Sequence, residues 1–356
     1  MKRIEFHDRE PETKEIMDIL DLEPSLITFI YGPINSGKTA LVNHLIDRLP
    51  DDYKVFYINL RGRFISNYDD FIKVLFDVER EARYERIKKF LKPVAAVLPE
   101  SYNGIPIPKD MFLKLFKDKE VEDAFVYIET VLRAFYESGR SPVLIIDELQ
   151  VIGDMKIDGH LIYKLFNFFV RLTKELHLAH VFVISSDSLF IGRVYSEAML
   201  KGRCRYLLVD DFDYETTAAF LKGRGFTDED MRVTWEYCGG KPVCLVELIN
   251  SRNREEKTKE MFTFGIGELE TRSKLVKELG DEIMIGSKRC DVHYEKLVAT
   301  LKMFVSREEI GINEVDEVSK RYLVKEKILF VDPLTAMMKP QSQLDLSAIR
   351  KVVGIA

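Results

Sequence analysis

Runs of apolar and β-branched residues alternate with stretches of helical periodicity over the first 210 residues of the chain. These runs predict five strands, at residues 26–31, 55–60, 143–147, 181–185 and 206–209. Continuous apolar runs are typical of strands that are buried on both faces, as in parallel sheets covered by helices. The pattern therefore predicts an α/β fold with a doubly wound parallel sheet.

A long insertion, roughly residues 68–136, separates the second predicted strand from the third. Its helical periodicity is interrupted within residues 98–108, where prolines remove backbone donors and break helical continuity, at Pro99, Pro106 and Pro108. This segment predicts a loop or a short hairpin inside an otherwise helical insertion. This pattern is consistent with a loop that contacts a partner or with a segment that has only a structural role.

Beyond residue 210 the pattern changes to short amphipathic helices, predicted at residues 213–222, 228–237 and 242–250. The charged stretch 251–257 predicts a domain boundary. Further on, Ser306 to Glu309 has the spacing of a capping box, Asn313 fits a second helix cap, and a hairpin is predicted to turn near Asp332. We predict a core at residues 1–210, a helical lid at 211–255 and a C-terminal module at 256–356.

A complete GxxxxGK[ST] motif follows the first predicted strand and precedes a predicted helix. Glycines allow successive backbone N–H groups to turn around a phosphate, the lysine reaches the β and γ oxygens, and the Thr39 hydroxyl binds Mg²⁺. The dipole of the helix that begins at Lys38 favours the same anion. The predicted nucleotide-binding residues are Gly32, Pro33, Ile34, Asn35, Ser36, Gly37, Lys38, Thr39 and Ala40.

The third predicted strand ends in two acids, Asp147 and Glu148, and so has the form of a Walker B strand. In a parallel sheet these acids lie at the same edge as the phosphate loop. Asp147 is predicted to bind the Mg²⁺ shell with Thr39, and Glu148 to orient and deprotonate the attacking water. An acid pair after an apolar run also occurs in ordinary charged turns, and the preceding phosphate loop favours the catalytic interpretation.

Three further polar residues are candidates for contacts with the nucleotide phosphates. Ser185 and Ser186 end the fourth predicted strand, where a sensor residue of a P-loop ATPase lies, although serines there also form turns. Arg203 precedes the fifth predicted strand and is a candidate for a phosphate contact, for capping a helix end, or for pairing with surface acids. With Lys38 and Glu148 they complete the predicted catalytic set.

The composition is that of a globular protein, with 356 residues, 46% hydrophobic, 31% charged and a formal net charge of −6. No apolar run approaches the roughly 18 to 20 residues of a membrane span, and the N-terminus lacks the apolar core of a signal peptide. These features predict a cytoplasmic protein without a membrane partner. The four cysteines have no metal-binding spacing.

Together these motifs resemble the archaeal ATPase family of the AAA+-related STAND P-loop NTPases. Residues 4–12 resemble an element that contacts the adenine base in that family, which implies base contacts from Asp8 and Arg9, with Asp8 standing where a glycine is common. The pair Gly202 and Arg203 resembles a family Gly-Arg motif. The segment Gly239 to Pro242 resembles the GxP signature, which implies that Pro242 closes over the nucleotide. The C-terminal helices and hairpin resemble a winged helix.

The resemblance implies an ATP hydrolase that uses Mg²⁺ and acts as a regulatory switch, binding ATP or ADP and an unidentified protein partner. The alternative is a DNA-associated ATPase that resembles replication-initiation proteins. The predicted recognition helix carries acids near its start, at Glu314, Asp316 and Glu317, against the cations Lys320 and Arg321. Because phosphate contacts dominate DNA affinity, this charge pattern favours the switch over DNA binding.

Overall fold

The structure of the chain is a computed structural model, and it describes residues 6–79, 101–152, 161–197, 200–286 and 288–354. In chain order its strands are β1 (Ile27–Tyr31), β2 (Tyr53–Asn59), β3 (Phe76–Glu79), β4 (Ser101–Asn103), β5 (Ile105–Pro108), β6 (Ser141–Asp147), β7 (His180–Ser185), β8 (Cys204–Leu208), β9 (Glu282–Ile285), β10 (Lys288–Asp291), β11 (Ile310–Gly311), β12 (Leu329–Asp332) and β13 (Met337–Pro340).

The α-helices of the described residues are α1 (Glu10–Leu20), α2 (Lys38–Ile46), α3 (Tyr68–Leu75), α4 (Lys109–Asp118), α5 (Val121–Glu137), α6 (Leu161–Val170), α7 (Ser188–Glu197), α8 (Tyr214–Lys222), α9 (Asp228–Cys238), α10 (Pro242–Asn250), α11 (Arg254–Leu279), α12 (Tyr294–Lys302), α13 (Glu317–Lys325) and α14 (Gln343–Gly354). A π-helical turn, Arg171–Glu175, follows α6. No helix among the described residues is long and apolar enough to cross a membrane.

A parallel sheet of six strands, in the order β4-β2-β6-β7-β1-β8, forms the centre of the molecule. The five predicted strands are all present, and β7, the fourth of them, lies between β1 and β6. The sixth strand, β4, was not predicted because its three residues form no apolar run. Phe29 and Phe56 are fully buried, so helices cover the sheet as the apolar runs predicted.

The structure corrects the prediction for residues 98–108. The described part, from residue 101, forms neither a loop nor a hairpin: β4 joins the central sheet beside β2, while β5 pairs in parallel with β3 in a separate two-stranded sheet. Pro106 and Pro108 are tolerated in β5 because, among the residues that the structure describes, it pairs with one strand only. Pro99 lies outside the described residues.

The C-terminal part is built from helices and a three-stranded antiparallel sheet, in the order β11-β13-β12. The predicted hairpin is present as β12 and β13. Two predicted helix caps are wrong: Ser306 to Glu309 precede a strand instead of a helix, and Asp316 caps α13 where Asn313 was expected. The charged stretch 251–257 leads into the 26-residue helix α11, whose cap is Asn253.

A close backbone contact joins Phe212, which follows β8 at the start of the lid, to Gly240, which follows α9. Phe212 N–H donates to the Gly240 carbonyl over 3.0 Å. A Cβ atom on Gly240 would lie 1.8 Å from the Phe212 carbonyl oxygen, so a side chain cannot be accommodated without moving one backbone away from the other. Glycine at this position therefore fixes how closely the segment between α9 and α10 approaches the segment that follows β8.

We predict that Gly240→Ala lowers the free energy of unfolding by about 1–3 kcal/mol, the usual cost of overpacking. The matched control is Gly267→Ala in α11, where an added Cβ meets nothing within 4 Å. Since alanine is the better helix former, this control should raise stability by about 0.5–1 kcal/mol. Thermal unfolding monitored by circular dichroism measures both changes. Equal midpoints for the two variants would contradict the proposed steric role of Gly240.

Candidate functional site

The predicted phosphate loop lies at the carboxyl edge of the sheet, between β1 and α2. Gly32 begins the loop with φ of 153°, and a Cβ atom there would lie 2.1 Å from the Val209 carbonyl oxygen. Val209 follows β8, and its N–H donates to the Tyr31 carbonyl over 2.7 Å. The neighbouring strand therefore crowds the start of the loop, and the first position of the motif accepts only glycine.

Lys38 is buried beneath the loop, with 6% of its surface exposed. Its Nζ donates to the carbonyls of Gly32 and Pro33, over 3.0 and 2.7 Å. Burial, reinforced by the nearby Lys241 ammonium, lowers the pKa of Lys38 to about 7. A buried cation beside a second cation needs negative charge, which phosphate oxygens supply.

Asp147 lies at the end of β6, beside the first turn of α2. Its Oδ2 accepts hydrogen bonds from Thr39 Oγ1 over 3.0 Å and from Tyr57 Oη over 2.8 Å. Its Oδ1 is buried and has no hydrogen-bond partner among the described residues, and burial raises the pKa of the carboxyl group. A hydroxyl and an orphaned carboxylate oxygen are a donor set that suits Mg²⁺, so the residues present fit this ion.

Glu148 begins the turn after β6 with a left-handed backbone, at φ of 63°, and its N–H donates to the Ile184 carbonyl over 3.0 Å. Both of its carboxylate oxygens accept hydrogen bonds. Arg61 Nη2 lies 2.5 Å from Oε1, and Gln150 Nε2 lies 2.5 Å from Oε2. Gln150 accepts in turn from Ser185 Oγ over 2.9 Å. Glu148, the predicted general base, is thus joined through Gln150 to Ser185, one of the two predicted sensor residues.

Asp8 and Arg9, which are predicted to contact the adenine base, lie where the N-terminal segment meets the lid. Asp8 and Arg9 both have left-handed φ values, 56° and 79°, which explains why glycine suits the first of these positions. Arg9 is buried and donates to the carbonyls of Ser36 and Asp210, over 2.7 and 2.6 Å. Asp8 accepts from Thr216 of α8 over 2.8 Å. The segment therefore ties the phosphate loop to the lid.

Pro242 lies near the same part of the loop as Arg9. A Cβ atom built on Gly37 would be 4.0 Å both from Arg9 Nη2 and from Pro242 Cγ. Arg9, predicted to contact the adenine base, and Pro242, predicted to close over the nucleotide, therefore both lie beside the N-terminus of α2. Phe212 adds an aromatic ring here, 4.5 Å from the Arg9 guanidinium carbon.

Two side chains from distant parts of the chain bind the backbone of Ile34 in the loop. Lys241, from the lid, donates to the Ile34 carbonyl over 2.9 Å, and Gln341, which follows β13, accepts from the Ile34 N–H over 2.9 Å. Lys241 Nζ also lies 2.9 Å from Asp211 Oδ1, an ion pair without hydrogen-bond alignment. Lys339 of β13 pairs with Asp210. The lid and the C-terminal module thus both contact the loop region.

A cavity of about 240 Å³ lies at this junction, and its lining includes Phe212, Trp235 and Gln341. A larger cavity, of about 370 Å³, is lined by Tyr53, His177 and other residues at the amino edge of the sheet, away from the motifs. The chemistry of the phosphate loop, rather than cavity size, locates the site.

Arg203 is the one predicted catalytic residue that the fold places elsewhere. It precedes β8, and its carbonyl accepts from the N–H of Ile27, the first residue of β1. The phosphate loop follows the last residue of that strand, about 16 Å away. Arg203 therefore lies at the opposite edge of the sheet and does not reach the loop of its own chain. Ser186 lies one residue beyond β7, next to Ser185.

Sequence reasoning missed five residues of the site: Tyr57, Arg61, Gln150, Lys241 and Gln341. Gln150 follows Glu148 by two positions and Lys241 precedes Pro242, so both lie beside motifs that were recognised. Tyr57 and Arg61 lie at the carboxyl end of a predicted strand, which is the edge where ligands bind in parallel sheets. No local signal marks Gln341, whose contact joins residues 307 positions apart.

Comparison with known proteins agrees with this geometry. A family described as an ATPase domain predominantly from Archaea matches residues 6–248, and the C-terminal domain of an MJ1010-like uncharacterized ATP-binding protein matches residues 255–353. An uncharacterized ATP-binding protein of Methanocaldococcus jannaschii is 46% identical, with 98% of each chain covered. One from Pyrococcus abyssi is 43% identical, with 98% of this chain and 99% of the relative covered.

Among solved structures, the Walker-type ATPase of Pyrococcus abyssi superposes with a TM-score of 0.63 at 16% identity, over 98% of this chain and 97% of the other. At that identity the likeness concerns the fold, which is a P-loop ATPase core followed by a C-terminal domain. The family match covers more than half of the chain, and the relatives share nearly half of its residues over their full length. The chain is therefore an ATP-binding protein of the ATPase family that occurs predominantly in Archaea.

Proposed function

We propose that the protein hydrolyses ATP with Mg²⁺. The observation that carries this proposal is the convergence of Thr39, Asp147 and Glu148 beside the buried Lys38 at one edge of the sheet. Lys38 and the loop amides bind the phosphates, and Thr39 and Asp147 hold Mg²⁺, which neutralises phosphate charge when bound. This arrangement supplies the positioning and charge stabilisation that phosphoryl transfer requires.

In this proposal Glu148 orients the attacking water and accepts its proton. Ser185, rather than Ser186, is the sensor, because its hydroxyl is the one bonded through Gln150 to the Glu148 carboxylate. Tyr57 positions Asp147 by its hydrogen bond to Oδ2. Asp8, Arg9 and Pro242 line the adenine base of the nucleotide. Arg9 and Pro242 lie beside the start of α2, and Asp8 ties this segment to the lid.

We further propose that hydrolysis drives a regulatory switch of the kind found in STAND ATPases. Lys241 and Gln341 hold the two backbone polar groups of Ile34, so a change in the loop acts on the lid and on the C-terminal module together. Bound ATP then keeps both parts docked, and loss of the γ-phosphate releases them to an unidentified protein partner.

The charges of the C-terminal module favour this switch over a DNA-associated ATPase. In α13 the cations Lys320 and Arg321 both pair with Glu317, over 2.5 Å in each case. Just before that helix, Arg307 pairs with Glu314 over 2.9 Å. Cations already paired with neighbouring acids gain less from DNA phosphates, so the module is suited to packing against protein.

Lys38→Ala should abolish ATP binding, since the lysine supplies the charge beneath the phosphates. Binding is measured by isothermal titration calorimetry, and folding by circular dichroism. The matched control is Lys174→Ala, which removes an exposed lysine that follows α6 and should bind ATP normally. ATP affinity of a folded Lys38→Ala protein equal to that of the wild type would refute the proposed phosphate site.

Glu148→Gln should bind Mg·ATP but lose roughly a hundred-fold or more in hydrolysis rate, as expected when a positioned general base is removed. Phosphate release at saturating ATP gives the rate, and ATP affinity is determined in parallel. An unchanged turnover number would show that another residue activates the water.

Nucleotide should protect the segment between the lid and the C-terminal module against protease. Arg252 is exposed in the short link between α10 and α11, which makes it the expected trypsin site. Digestion with ATP should be slower than with ADP or without nucleotide, because bound ATP stabilises the docked arrangement and loss of the γ-phosphate releases it. Lys38→Ala should show no such protection. Equal cleavage rates of the wild type at saturating nucleotide would remove the support for a lid-coupled switch.

A further inference from the structure

Two buried cysteines lie next to each other in the lid. Cys238 is the last residue of α9 and Cys244 belongs to the first turn of α10, and both pack in the same apolar cluster. The Cys238 thiol donates a hydrogen bond to the Cys244 sulfur. Because sulfur atoms in contact need only a small side-chain movement to form a covalent bond, the two thiols are placed as a dithiol that can be oxidised.

The turn between the two cysteines, residues 239–243, faces the phosphate loop. Lys241 of this turn binds the Ile34 carbonyl over 2.9 Å. Pro242 Cγ lies 4.0 Å from a Cβ atom built on Gly37, at the start of α2. A covalent bond between the cysteines would close a short ring around this turn, and it would limit how far Lys241 and Pro242 can move away from the loop.

The surroundings of the two thiols make Cys244 the more reactive one. It is the third residue of α10, after Pro242, where free backbone amides and the helix dipole favour negative charge. The hydrogen bond from Cys238, together with the Lys241 ammonium, lowers the pKa of the Cys244 thiol. The same hydrogen bond and burial raise the pKa of the Cys238 thiol. Cys244, with 8% of its surface exposed, therefore meets an oxidant before the fully buried Cys238 does.

We propose that Cys238 and Cys244 are an oxidative modification site, at which hydrogen peroxide converts the dithiol to a disulfide that restrains the turn over the nucleotide. This oxidant is small and uncharged, which suits a site with little exposed surface. The inference requires that nucleotide binds at the phosphate loop, but it does not require hydrolysis of ATP.

The oxidation takes place in two steps. The Cys244 thiolate attacks one peroxide oxygen, the O–O bond breaks, and the released hydroxide takes up a proton to give water. The Cys238 sulfur then attacks the sulfur of the sulfenic acid formed on Cys244, and the hydroxyl of that acid leaves with the Cys238 proton as a second water. Two thiols are oxidised to one disulfide, and one hydrogen peroxide is reduced to two waters.

Mass spectrometry tests this chemistry. Trypsin does not cleave before proline, so residues 233–252 form one peptide that holds these two cysteines and no other. After treatment of the native protein with hydrogen peroxide and alkylation of free thiols, the peptide should carry no alkyl group and should be lighter than the reduced peptide by two hydrogen atoms. Cys290, a partly exposed free cysteine in β10, should still be alkylated. A peptide with two alkylated cysteines, or with Cys244 oxidised to the sulfinic acid, would overturn the proposal.

Release of a fluorescent ADP analogue measures the effect on the turn. Oxidised wild-type protein should release the analogue more slowly than the reduced protein, by about five-fold or more, as is usual for coupled sites. Dithiothreitol should restore fast release. Cys238→Ala and Cys244→Ala each remove one thiol, and peroxide should not change release from either variant. The matched control, Cys290→Ser, should respond to peroxide as the wild type does.

The comparison of oxidised and reduced wild type decides the outcome even if an alanine variant fails to fold. A disulfide between Cys238 and Cys244 that leaves the release rate unchanged would overturn the restraint and leave the phosphate site intact. Failure of the reduced wild type to bind the ADP analogue would overturn both the phosphate site and the restraint.

Discussion

The backbone of Ile34 is held by two side chains that come from other parts of the chain, and the arrangement of the three parts depends on these contacts. Lys241 binds its carbonyl and Gln341 its N–H, each over 2.9 Å. Because the loop is short and its first glycine is crowded by Val209, it has little freedom to shift without breaking one of them. The lid and the C-terminal module are thereby coupled to the segment that meets the phosphates.

Charge reinforces this coupling. Lys38 and Lys241 are both buried, with 6% and 3% of their surfaces exposed, and lie near enough to lower the pKa of Lys38. Asp211 compensates Lys241, while phosphate is the natural counter-charge of Lys38. Breaking a buried ion pair by removing one partner typically costs about 3–5 kcal/mol. The buried charges of the site therefore depend on one another for their stability. Lys241, which belongs to the lid, contributes to the positive charge beneath the loop.

Contiguous features of the site were predictable from sequence, because the chemistry of a phosphate loop or a Walker B strand resides in neighbouring residues. The buried strands were predictable for the same reason, whereas β4 is too short to show a pattern. The position of Arg203 relative to the loop follows from strand direction, because a residue that precedes a parallel strand lies at the amino edge, opposite to the ligand edge. The pair of Arg61 and Glu148 joins residues 87 positions apart, and only the fold brings them together.

The site draws on both ends of the chain, since Asp8 and Arg9 come from its start and Gln341 from its last 16 residues. A ribosome adds roughly 5–20 residues per second, and N-terminal domains fold first. The residues after α10 therefore take on the order of 5–20 s to be made, while the sheet and the phosphate loop are already complete. The loop is thus made well before the residue that binds its Ile34 N–H, and the hydrogen bond from Ile34 to Gln341 is added to a loop that is already complete.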